Sequence, residues 1–346
     1  MKMYALDPLA DHRWADFLAK HPRSSIFHTR GWLQTLSQTY GYVPIVFTTS
    51  PPDTELANGL VFCDVKTWIG GRRLVSLPFS DHCAPLVDCS KDLACLISGL
   101  QNGLKPGRWR YVELRPPDPP SSGTGSFQKT ETFCFHKLDL RPTLDQLFRN
   151  FHKDCVQRKI LRAERESVSY QAGKSKSLLN EFYGLLLMTR RRHGLPPQPL
   201  SWFRQLIECL GDSVTIHIAH WRGTAISGML TLRHKDTLVY KYGVSDHDRS
   251  NLGGTQLLFW RAIQEAKRDQ LAELDLGRSD SDNPGLIAFK DRLGATRSAL
   301  NYWRYSEHTI EKLGARWGAG MAKSMFRHMP DSMLSTAGKL FYKYAG

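Results

Sequence analysis

Short apolar runs separated by polar turns recur through the second half of the chain. Three of these runs predict the strands of an antiparallel meander: residues 213–221, 224–234 and 237–246. Tight turns at Arg222-Gly223 and Lys235-Asp236 join them. Four further elements follow: a helix at 253–270, a strand at 271–277, a helix at 284–293 and a strand at 299–306. The order β-β-β-α-β-α-β predicts an α/β fold with a mixed sheet.

The first half of the chain mixes short helices with strands. Four apolar side chains at helical spacing precede Gly41, which is expected to end their helix: Trp32, Leu33, Leu36 and Tyr40. Apolar runs then predict strands at 43–49, 56–68 and 109–115 and a helix at 93–100. A further strand begins at Arg72 and opens into a loop rich in polar groups.

A stretch rich in proline, glycine and serine separates the two halves. Residues 115–126 read RPPDPPSSGTGS, a composition that cannot continue a helix or a strand. It is a linker or a surface loop, because FCFHKLDL, at 133–140, predicts one more strand. We therefore expect an N-terminal domain at 1–135, a C-terminal domain at 136–308 and a helical tail at 309–346.

Basic residues outnumber acidic residues by 47 to 33, which gives the 346-residue chain a formal net charge of +14. Such an excess attracts phosphates, anionic glycans, nucleic acid or a membrane surface without selecting among them. Part of the charge lies on a helix predicted at 143–166, where cations recur at helical spacing: Arg158, Lys159, Arg162 and Arg165.

The cysteines and the apolar segments indicate the compartment. The chain has 7 cysteines, an odd number, with no CxxC pair, which favours reduced thiols over a disulfide framework or a zinc site. The first residues lack the apolar run of a signal peptide, and no window approaches the roughly 20 apolar residues of a membrane-spanning helix. We expect a cytoplasmic protein, or one at the inner face of a membrane.

Two adjacent glycines open the helix predicted at 253–270. Gly253 and Gly254 permit close backbone approach, and the first amides of a helix point at whatever lies above them. The junction therefore predicts a site for a pyrophosphate, a phosphate or a developing oxyanion, to which Arg249, Asn251 and Thr255 contribute. The alternative interpretation is a tight turn before a helix.

A single lysine stands in the short apolar helix that follows. In LGRSDSDNPGLIAFKDRLGA, residues 276–295, Lys290 comes directly after Phe289. It is either an ordinary solvated lysine or a cation that neutralises an anion at the end of a strand. Charged side chains crowd this strand end: Asp275, Arg278, Asp280 and Asp282. No histidine or further glutamate stands at metal-ligand spacing, so we expect no metal.

These segments resemble a known family. The strands with the glycine-opened helix are similar to the GNAT acyltransferase core, although RSNLGGT does not keep that core's Arg/Gln-x-x-Gly-x-Gly/Ala spacing. The fuller resemblance is to the FemAB/FemX-like proteins, and within them to the branch associated with exosortase and exopolysaccharide loci and to BioF2-like or CelD-like acetyltransferase domains. The matching stretches, in order, are IFHTRGWLQTLSQTYGY, GRRLVSLPFSDHCAPLVD, FHKDCVQRKILRAERE, RRHGLPPQPLSWF, LTLRHKDTLVYKYGVSD, NLGGTQLLFWRAIQEA and LGRSDSDNPGLIAFKDRLGA.

The resemblance implies two tandem GNAT-like domains and an acyl- or aminoacyltransferase. Fem ligases transfer an amino acid from aminoacyl-tRNA to an amine of a cell-wall precursor. The implied donor is therefore acyl-coenzyme A or aminoacyl-tRNA. The implied acceptor is an amine or hydroxyl of a cell-envelope glycan or of its lipid-linked precursor. The family's phenylalanine–lysine pair at the reaction centre matches Phe289-Lys290, which implies that Lys290 stabilises negative charge on the donor or the tetrahedral intermediate.

Both predicted domains supply candidates for the substrate cleft, because the space between domains is a usual binding place. These candidates are Ser80, Asp81, His82, Tyr240, Tyr242, Arg278 and Asp280. Two functions of other classes remain open. One is a non-catalytic scaffold that binds a glycan or a synthase of an exopolysaccharide system. The other is a nucleic-acid binder that uses the basic helix at 143–166. We expect tRNA rather than DNA as a partner.

The tail carries apolar residues every three or four positions, with cations on its flanks. The apolar positions are Ile310, Leu313, Trp317, Met321, Met325 and Met329, and the cations are Lys312, Arg316, Lys323 and Arg327. We expect either peripheral contact with the inner face of an anionic membrane or packing on the body or on a partner chain.

Overall fold

The chain folds into two compact units. The structure, a computed structural model, describes residues 2–67, 71–103, 109–118, 127–306, 325–327 and 329–345. Unit 1 comprises Met1–Phe133, Ala299–Gly314 and Leu340–Gly346. Unit 2 comprises Cys134–Ser298 and Ala315–Lys339. Each unit is built on a mixed sheet with helices, so the predicted α/β fold is confirmed.

In unit 1 the sheet has the order β1-β2-β3-β4-β5-β12. Its strands are β1 Tyr4–Leu6, β2 Val43–Thr48, β3 Leu60–Thr67, β4 Gly71–Val75, β5 Tyr111–Leu114 and β12 Thr296–Tyr305. Strands β4 and β5 run parallel, and the other neighbours are antiparallel. The helices are α1 His12–Lys20, α2 Arg30–Tyr40 and α3 Ser90–Gly103. A core cluster that includes Phe62, Leu74, Leu96 and Val112 supports this sheet.

In unit 2 the sheet has the order β7-β8-β9-β10-β11-β6. Its strands are β6 Gln128–Asp139, β7 Ser169–Gly173, β8 Val214–Trp221, β9 Thr224–His234, β10 Thr237–Ser245 and β11 Glu273–Ser279. Strands β10 and β11 run parallel, whereas the other neighbours are antiparallel. The helices are α4 Leu144–Asn150, α5 Arg158–Arg165, α6 Lys176–His193, α7 Leu200–Leu210, α8 Gly254–Arg268 and α9 Pro284–Arg292. A last helix, α10, spans Asp331–Ala345.

The two sheets follow the same plan, in which an antiparallel run is followed by a parallel pair and then by an antiparallel last strand. The meander of β8, β9 and β10 is confirmed, as is helix α8 after its glycines. The last strand of each sheet comes from the other half of the sequence. Residues 299–305 of β12, expected in the C-terminal domain, lie in unit 1, and residues 134–139 of β6 lie in unit 2.

The single helix predicted at 143–166 is wrong, because the chain leaves the helical conformation at Phe151. Phe151 is buried against the ring of Trp260, with their centroids 5.7 Å apart, and this packing outweighs the local helical preference. His152 then caps the next turn by accepting a hydrogen bond from the Cys155 amide. A π-helical turn, Lys153–Gln157, leads into α5.

The predicted basic face is also partly neutralised. Arg158 pairs with Asp154 at 2.8 Å, and Arg162 lies 3.9 Å from Glu166. These ion pairs leave less of a continuous positive stripe for nucleic acid than the sequence pattern indicated. The basic residues alone therefore do not favour a nucleic-acid binder.

Three further predictions concern the cysteines, membrane spans and the tail. All 7 cysteines carry free thiols, as the reduced-thiol interpretation requires. Within the described ranges, every helix is too short or too polar to cross a bilayer. The tail positions from Ile310 to Lys323 lie outside the described residues, whereas Met325, Arg327 and Met329 lie within them.

Candidate functional site

Strands β10 and β11 of unit 2 separate at their carboxyl ends. They pair only where Thr237–Val239 faces Glu273–Asp275. Beyond that point β10 remains paired with β9, and β11 remains paired with β6. Each strand has a register shift where they part, between Tyr240 and Tyr242 in β10 and between Asp275 and Gly277 in β11. The divergence leaves an opening beyond the carboxyl end of the parallel pair, where α/β folds commonly bind ligands.

Lys290 lies beside the part of β11 that has left β10. Its Nζ atom donates hydrogen bonds to the carbonyl oxygens of Gly277 and Arg278, each at 3.0 Å. The residue is only 2% exposed, so the interpretation as a solvated lysine is wrong. Burying an ammonium group is costly unless hydrogen bonds compensate, and these two carbonyls supply part of that compensation. The structure therefore holds a fixed positive charge at the opening.

His136 is a neighbour of this lysine that the sequence analysis missed. It lies on β6 opposite Gly277 and is fully buried. Its Nε2 atom is 3.0 Å from Oδ1 of Asp291, whereas its Nδ1 atom has no hydrogen-bond partner among the described residues. Burial lowers the pKa of His136 below its usual value, the Asp291 bond opposes this shift, and the Lys290 charge adds to it. A neutral imidazole thus donates its Nε2 proton to Asp291.

Phe289 and Tyr240 meet on a common aromatic ring. The Phe259 ring of α8 lies 5.4 Å from the Phe289 ring and 4.8 Å from the Tyr240 ring, measured between centroids. Burial raises the pKa of Tyr240 to about 12, so its hydroxyl stays protonated at neutral pH. The structure therefore brings Phe289, Lys290 and Tyr240 to the same side of the sheet as α8 and α9.

Tyr242 is directed away from this group. Its hydroxyl accepts a hydrogen bond from Trp202 Nε1 at 2.9 Å and donates one to Gln198. In a regular strand, residues two apart share a face, but the register shift after Tyr240 reverses the side. Tyr240 and Tyr242 therefore do not line one cleft, although both were predicted to do so.

The two glycines before α8 are explained first by packing. Gly253 has φ +80°, and a Cβ atom there would lie 2.1 Å from the carbonyl oxygen of Lys159 in α5. A Cβ on Gly254 would lie 3.1 Å from Ile226. The close approach is thus to the protein's own backbone and side chains. Among the described residues, however, no side chain caps this helix.

The other predicted donor residues surround this helix start. Thr255 Oγ1 lies 2.8 Å from Ser227 Oγ, which ties the first turn to β9. Arg249 pairs with Asp246 at 3.4 Å and keeps part of its guanidinium exposed. Asn251 is exposed. Arg249 and Thr255 therefore lie near the start of α8, and each already makes a polar contact within the protein.

Hydrogen bonds hold the candidate loop of unit 1 on both sides of Ser80. Ser80 Oγ donates to the Leu77 carbonyl at 2.7 Å, and Tyr302 donates to the Asp81 carbonyl at 2.7 Å. Leu77 and Phe79 adopt left-handed φ values of +62° and +60°, which is costly for residues other than glycine and is often found at functional sites.

A buried ion pair supports the same loop. Glu113 is 1% exposed and binds Arg115 at 2.7 Å and Arg304 at 2.5 Å. Arg115 also donates to the carbonyl oxygens of Leu77 and Ser80. His82 is buried, with its ring centroid 5.5 Å from that of Phe27. The Ser80 hydroxyl and the His82 ring thus have structural contacts of their own.

The remaining candidates lie at the end of β11. Arg278 is half-buried on β11 opposite Phe135, and Asp280 is exposed just after the strand. Asp275 is 2% exposed and accepts a hydrogen bond from the Gly277 amide at 2.7 Å, so it stabilises the turn of the strand beside Lys290. Among the residues that the structure describes, no group of three metal-ligating side chains is placed to hold a metal ion.

Comparisons with known proteins give one family match and several similar structures. Residues 150–290 match the model of a family described as an acetyltransferase (GNAT) domain. A comparison with curated proteins gives no match. The crystal structure of FemX has a TM-score of 0.69 at 14% identity and covers 88% of this chain and 97% of its own.

Two further structures have the same fold. One is the C-terminal DUF2156 domain of a putative lysylphosphatidylglycerol synthetase from Agrobacterium fabrum. Its TM-score is 0.57 at 12% identity, over 86% of this chain and 91% of that chain. The other is a tandem GNAT protein from the clavulanic acid biosynthesis pathway. Its TM-score is 0.52 at 11% identity, over 90% of this chain and 99% of that chain. The predicted tandem GNAT fold is therefore confirmed.

Proposed function

We propose that the chain, which has a FemX-like tandem GNAT fold, is an acyltransferase that modifies a cell-envelope glycan or its lipid-linked precursor. The group transferred is an acyl or aminoacyl group, and the acceptor is an amine or a hydroxyl. The likeness to FemX and to a putative lysylphosphatidylglycerol synthetase supports an envelope acceptor and aminoacyl-tRNA as donor. The GNAT domain match supports acyl-coenzyme A as donor. The reaction takes place in the cytoplasm, at the inner face of the membrane.

One observation carries this proposal. The start of α8, which has no side-chain cap among the described residues, follows β10, and the buried Lys290 of α9 is hydrogen-bonded to the part of β11 that has left β10. The first-turn amides and the helix dipole at the start of α8 favour an anionic group, such as the phosphates of coenzyme A or of a tRNA end. We place the donor's anionic part there and its reactive carbonyl between the diverging strands.

In the proposed reaction, Lys290 acts on the charge that develops during transfer. The acceptor nitrogen or oxygen attacks the acyl carbon, and the carbonyl oxygen becomes an oxyanion. Collapse of this intermediate breaks the bond to the coenzyme A sulfur or to the ribose oxygen of tRNA, and the proton that the acceptor loses ends on that leaving atom. A positioned cation in a site of low dielectric lowers such a barrier by about 3–4 kcal/mol. Lys290 is held for this role by the carbonyls of Gly277 and Arg278.

Thermal-shift titration with acetyl-coenzyme A, charged tRNA and uncharged tRNA tests the donor site. A ligand that binds only the folded state raises the melting temperature by mass action. The Thr255→Pro variant removes one amide from the first turn of α8, where proline is tolerated, and Thr255→Val is its control because it keeps the amide.

We expect acetyl-coenzyme A or charged tRNA to stabilise the wild type and Thr255→Val, and to stabilise Thr255→Pro less. Stabilisation by charged but not uncharged tRNA would identify an aminoacyl donor. A melting temperature that none of the three ligands changes would contradict the proposal and would favour a scaffold.

A further inference from the structure

Helix α10 has one face seated on the protein. Leu334 is fully buried, and a Cβ atom on Gly338, four residues later, would lie 1.9 Å from the carbonyl oxygen of Pro197. Positions four apart lie on the same side of a helix, so this side packs against the body. Near the helix end, Tyr42 and Arg73 donate hydrogen bonds to the carbonyl oxygens of Tyr342 and Tyr344. The helix is therefore held firmly at both ends.

Three of the side chains that α10 leaves exposed are large and apolar. Met333 is 57% exposed and Leu340 is 60% exposed, and their spacing of seven residues puts them on one side of the helix. Phe341, the next residue, is 53% exposed. Monomeric soluble proteins seldom gather large apolar side chains on the surface without a partner. This group of residues thus indicates an interaction surface.

The charges around these side chains are positive. Lys339 and Lys343 are exposed and four residues apart, so they share a side of α10. Residues 332–346 contain no acidic side chain, and the carboxylate of Asp331 is engaged by Arg191 of α6. Apolar side chains bordered by lysines are the pattern of a helix that lies on an anionic lipid surface.

We propose that α10 is a docking surface for an anionic membrane, formed by Met333, Lys339, Leu340, Phe341 and Lys343. The apolar side chains enter the boundary between headgroups and acyl chains, and the two ammonium groups meet lipid phosphates. This inference deepens the proposed function, on which it rests, because a lipid-linked acceptor lies at that surface. The proposed membrane contact is made by α10. The apolar pattern in the sequence had pointed instead to the preceding residues, 310–329.

A second copy of the chain fits this surface less well. A two-fold contact would bring the same surface of each copy together, and Lys339 and Lys343 would then face like charges. The net charge of +14 adds to that repulsion. An anionic bilayer combines an apolar interior with a negatively charged surface, which matches the exposed apolar side chains and the two lysines of α10.

Co-sedimentation with vesicles tests the proposal. The full chain is mixed with vesicles of phosphatidylcholine alone or of phosphatidylcholine with phosphatidylglycerol, at low and high salt. The test variants are Leu340→Asp/Phe341→Asp and Lys339→Ser/Lys343→Ser. The matched control is Val43→Asp, because Val43 is equally exposed, at 59%, but lies on β2. Melting temperatures confirm that each variant is folded.

We expect the wild type and Val43→Asp to bind the phosphatidylglycerol vesicles, and the Leu340→Asp/Phe341→Asp variant to bind at least about tenfold more weakly. The lysine variant should lose the preference for anionic lipid and the salt dependence. Absence of wild-type binding, or an equal loss in Val43→Asp, would overturn the inference. So would a concentration-dependent dimer that only the α10 variants abolish, because the partner would then be a second copy.

The same proteins separate this inference from the proposed function. Donor binding is read from the melting temperature with acetyl-coenzyme A or charged tRNA. Donor binding without vesicle binding would overturn the membrane surface alone. Vesicle binding without any donor binding would overturn the proposed transferase site alone.

Discussion

The Nε2 atom of His136 lies 3.0 Å from Oδ1 of Asp291, the residue that follows Lys290. Asp291 thus fastens the last turn of α9 to β6, while Lys290 fastens the same turn to β11 through the carbonyls of Gly277 and Arg278. Two consecutive residues of one short helix are therefore anchored to two neighbouring strands. This arrangement fixes the ammonium group beside the opening between β10 and β11.

Because His136 is hydrogen-bonded to Asp291, replacing it with glutamine or with asparagine should have different effects on stability and activity. In His136→Gln the amide nitrogen reaches the position of Nε2 and keeps the bond, whereas in His136→Asn it corresponds to Nδ1 and the bond is lost. We expect His136→Asn to lower the free energy of unfolding by about 1–3 kcal/mol and to reduce acyl transfer, with His136→Gln closer to wild type. Urea denaturation and a transfer assay with the identified donor measure both effects. Equal losses in the two variants would rule out a positioning role.

Replacing Gly253 with alanine should destabilise the protein, and a second glycine-to-alanine substitution serves as its control. Gly253→Ala forces a Cβ atom to within 2.1 Å of the Lys159 carbonyl oxygen at a left-handed φ, so we expect a loss of about 1–3 kcal/mol in the free energy of unfolding. Gly184→Ala, in α6, meets nothing within 4 Å and should stabilise the chain by about 0.5–1 kcal/mol. Chemical denaturation of both variants gives the two signs, and a Gly253→Ala variant as stable as wild type would refute the packing explanation.

The ion pair of Glu113 with Arg115 should be important for stability. Glu113→Ala leaves two guanidinium groups without their buried carboxylate, which predicts a loss of about 3–5 kcal/mol in the free energy of unfolding. Asp139→Ala, which removes the largely exposed pair with Arg141, is the control and should cost about 0–1 kcal/mol. Thermal and urea unfolding measure both losses, and comparable small losses would show that the loop at Ser80 does not depend on Glu113.

The buried histidine His217 should make the stability of the protein depend on pH. His217 hydrogen-bonds to Tyr170 and Thr231, and burial lowers its pKa to about 4. The unfolded chain takes up a proton below pH about 6.5, whereas the folded chain does not do so until near pH 4, so acid favours unfolding in this window. Between these two pH values, the free energy of unfolding of the wild type should fall by up to about 3 kcal/mol more than that of His217→Gln, because glutamine does not titrate. Urea unfolding at pH 7 and pH 4.5 tests this, and identical pH profiles would contradict it.

The local parts of the fold could be predicted from the sequence. The meander, helix α8 and the short helix that carries Lys290 follow from periodicity, tight turns and glycines, which act over a few residues. The assignment of residues 299–305 of β12 to unit 1 could not be predicted, because strand order depends on contacts far apart in sequence. The break at Phe151 likewise results from a contact with Trp260.

The candidate site was predictable only in part. Lys290 and Phe289 were selected through the family resemblance, and in the structure the ring of Phe259 joins Phe289 to Tyr240. Tyr242 was misplaced because a register shift of one residue has no signal in the sequence. His136 was missed because a histidine within an apolar strand looks ordinary until the pairing with Gly277 is known.

The role of Lys290 is the central claim, and the transfer rate of the Lys290→Met variant tests it most directly. Methionine keeps the unbranched chain as far as Cε and removes the charged amino group. The melting temperature of the variant with and without donor confirms folding and donor binding. The account predicts that turnover falls by about 100- to 1,000-fold while the donor still raises the melting temperature. Turnover within about twofold of wild type would contradict it, because a loss that small leaves the cation no part in stabilising the oxyanion.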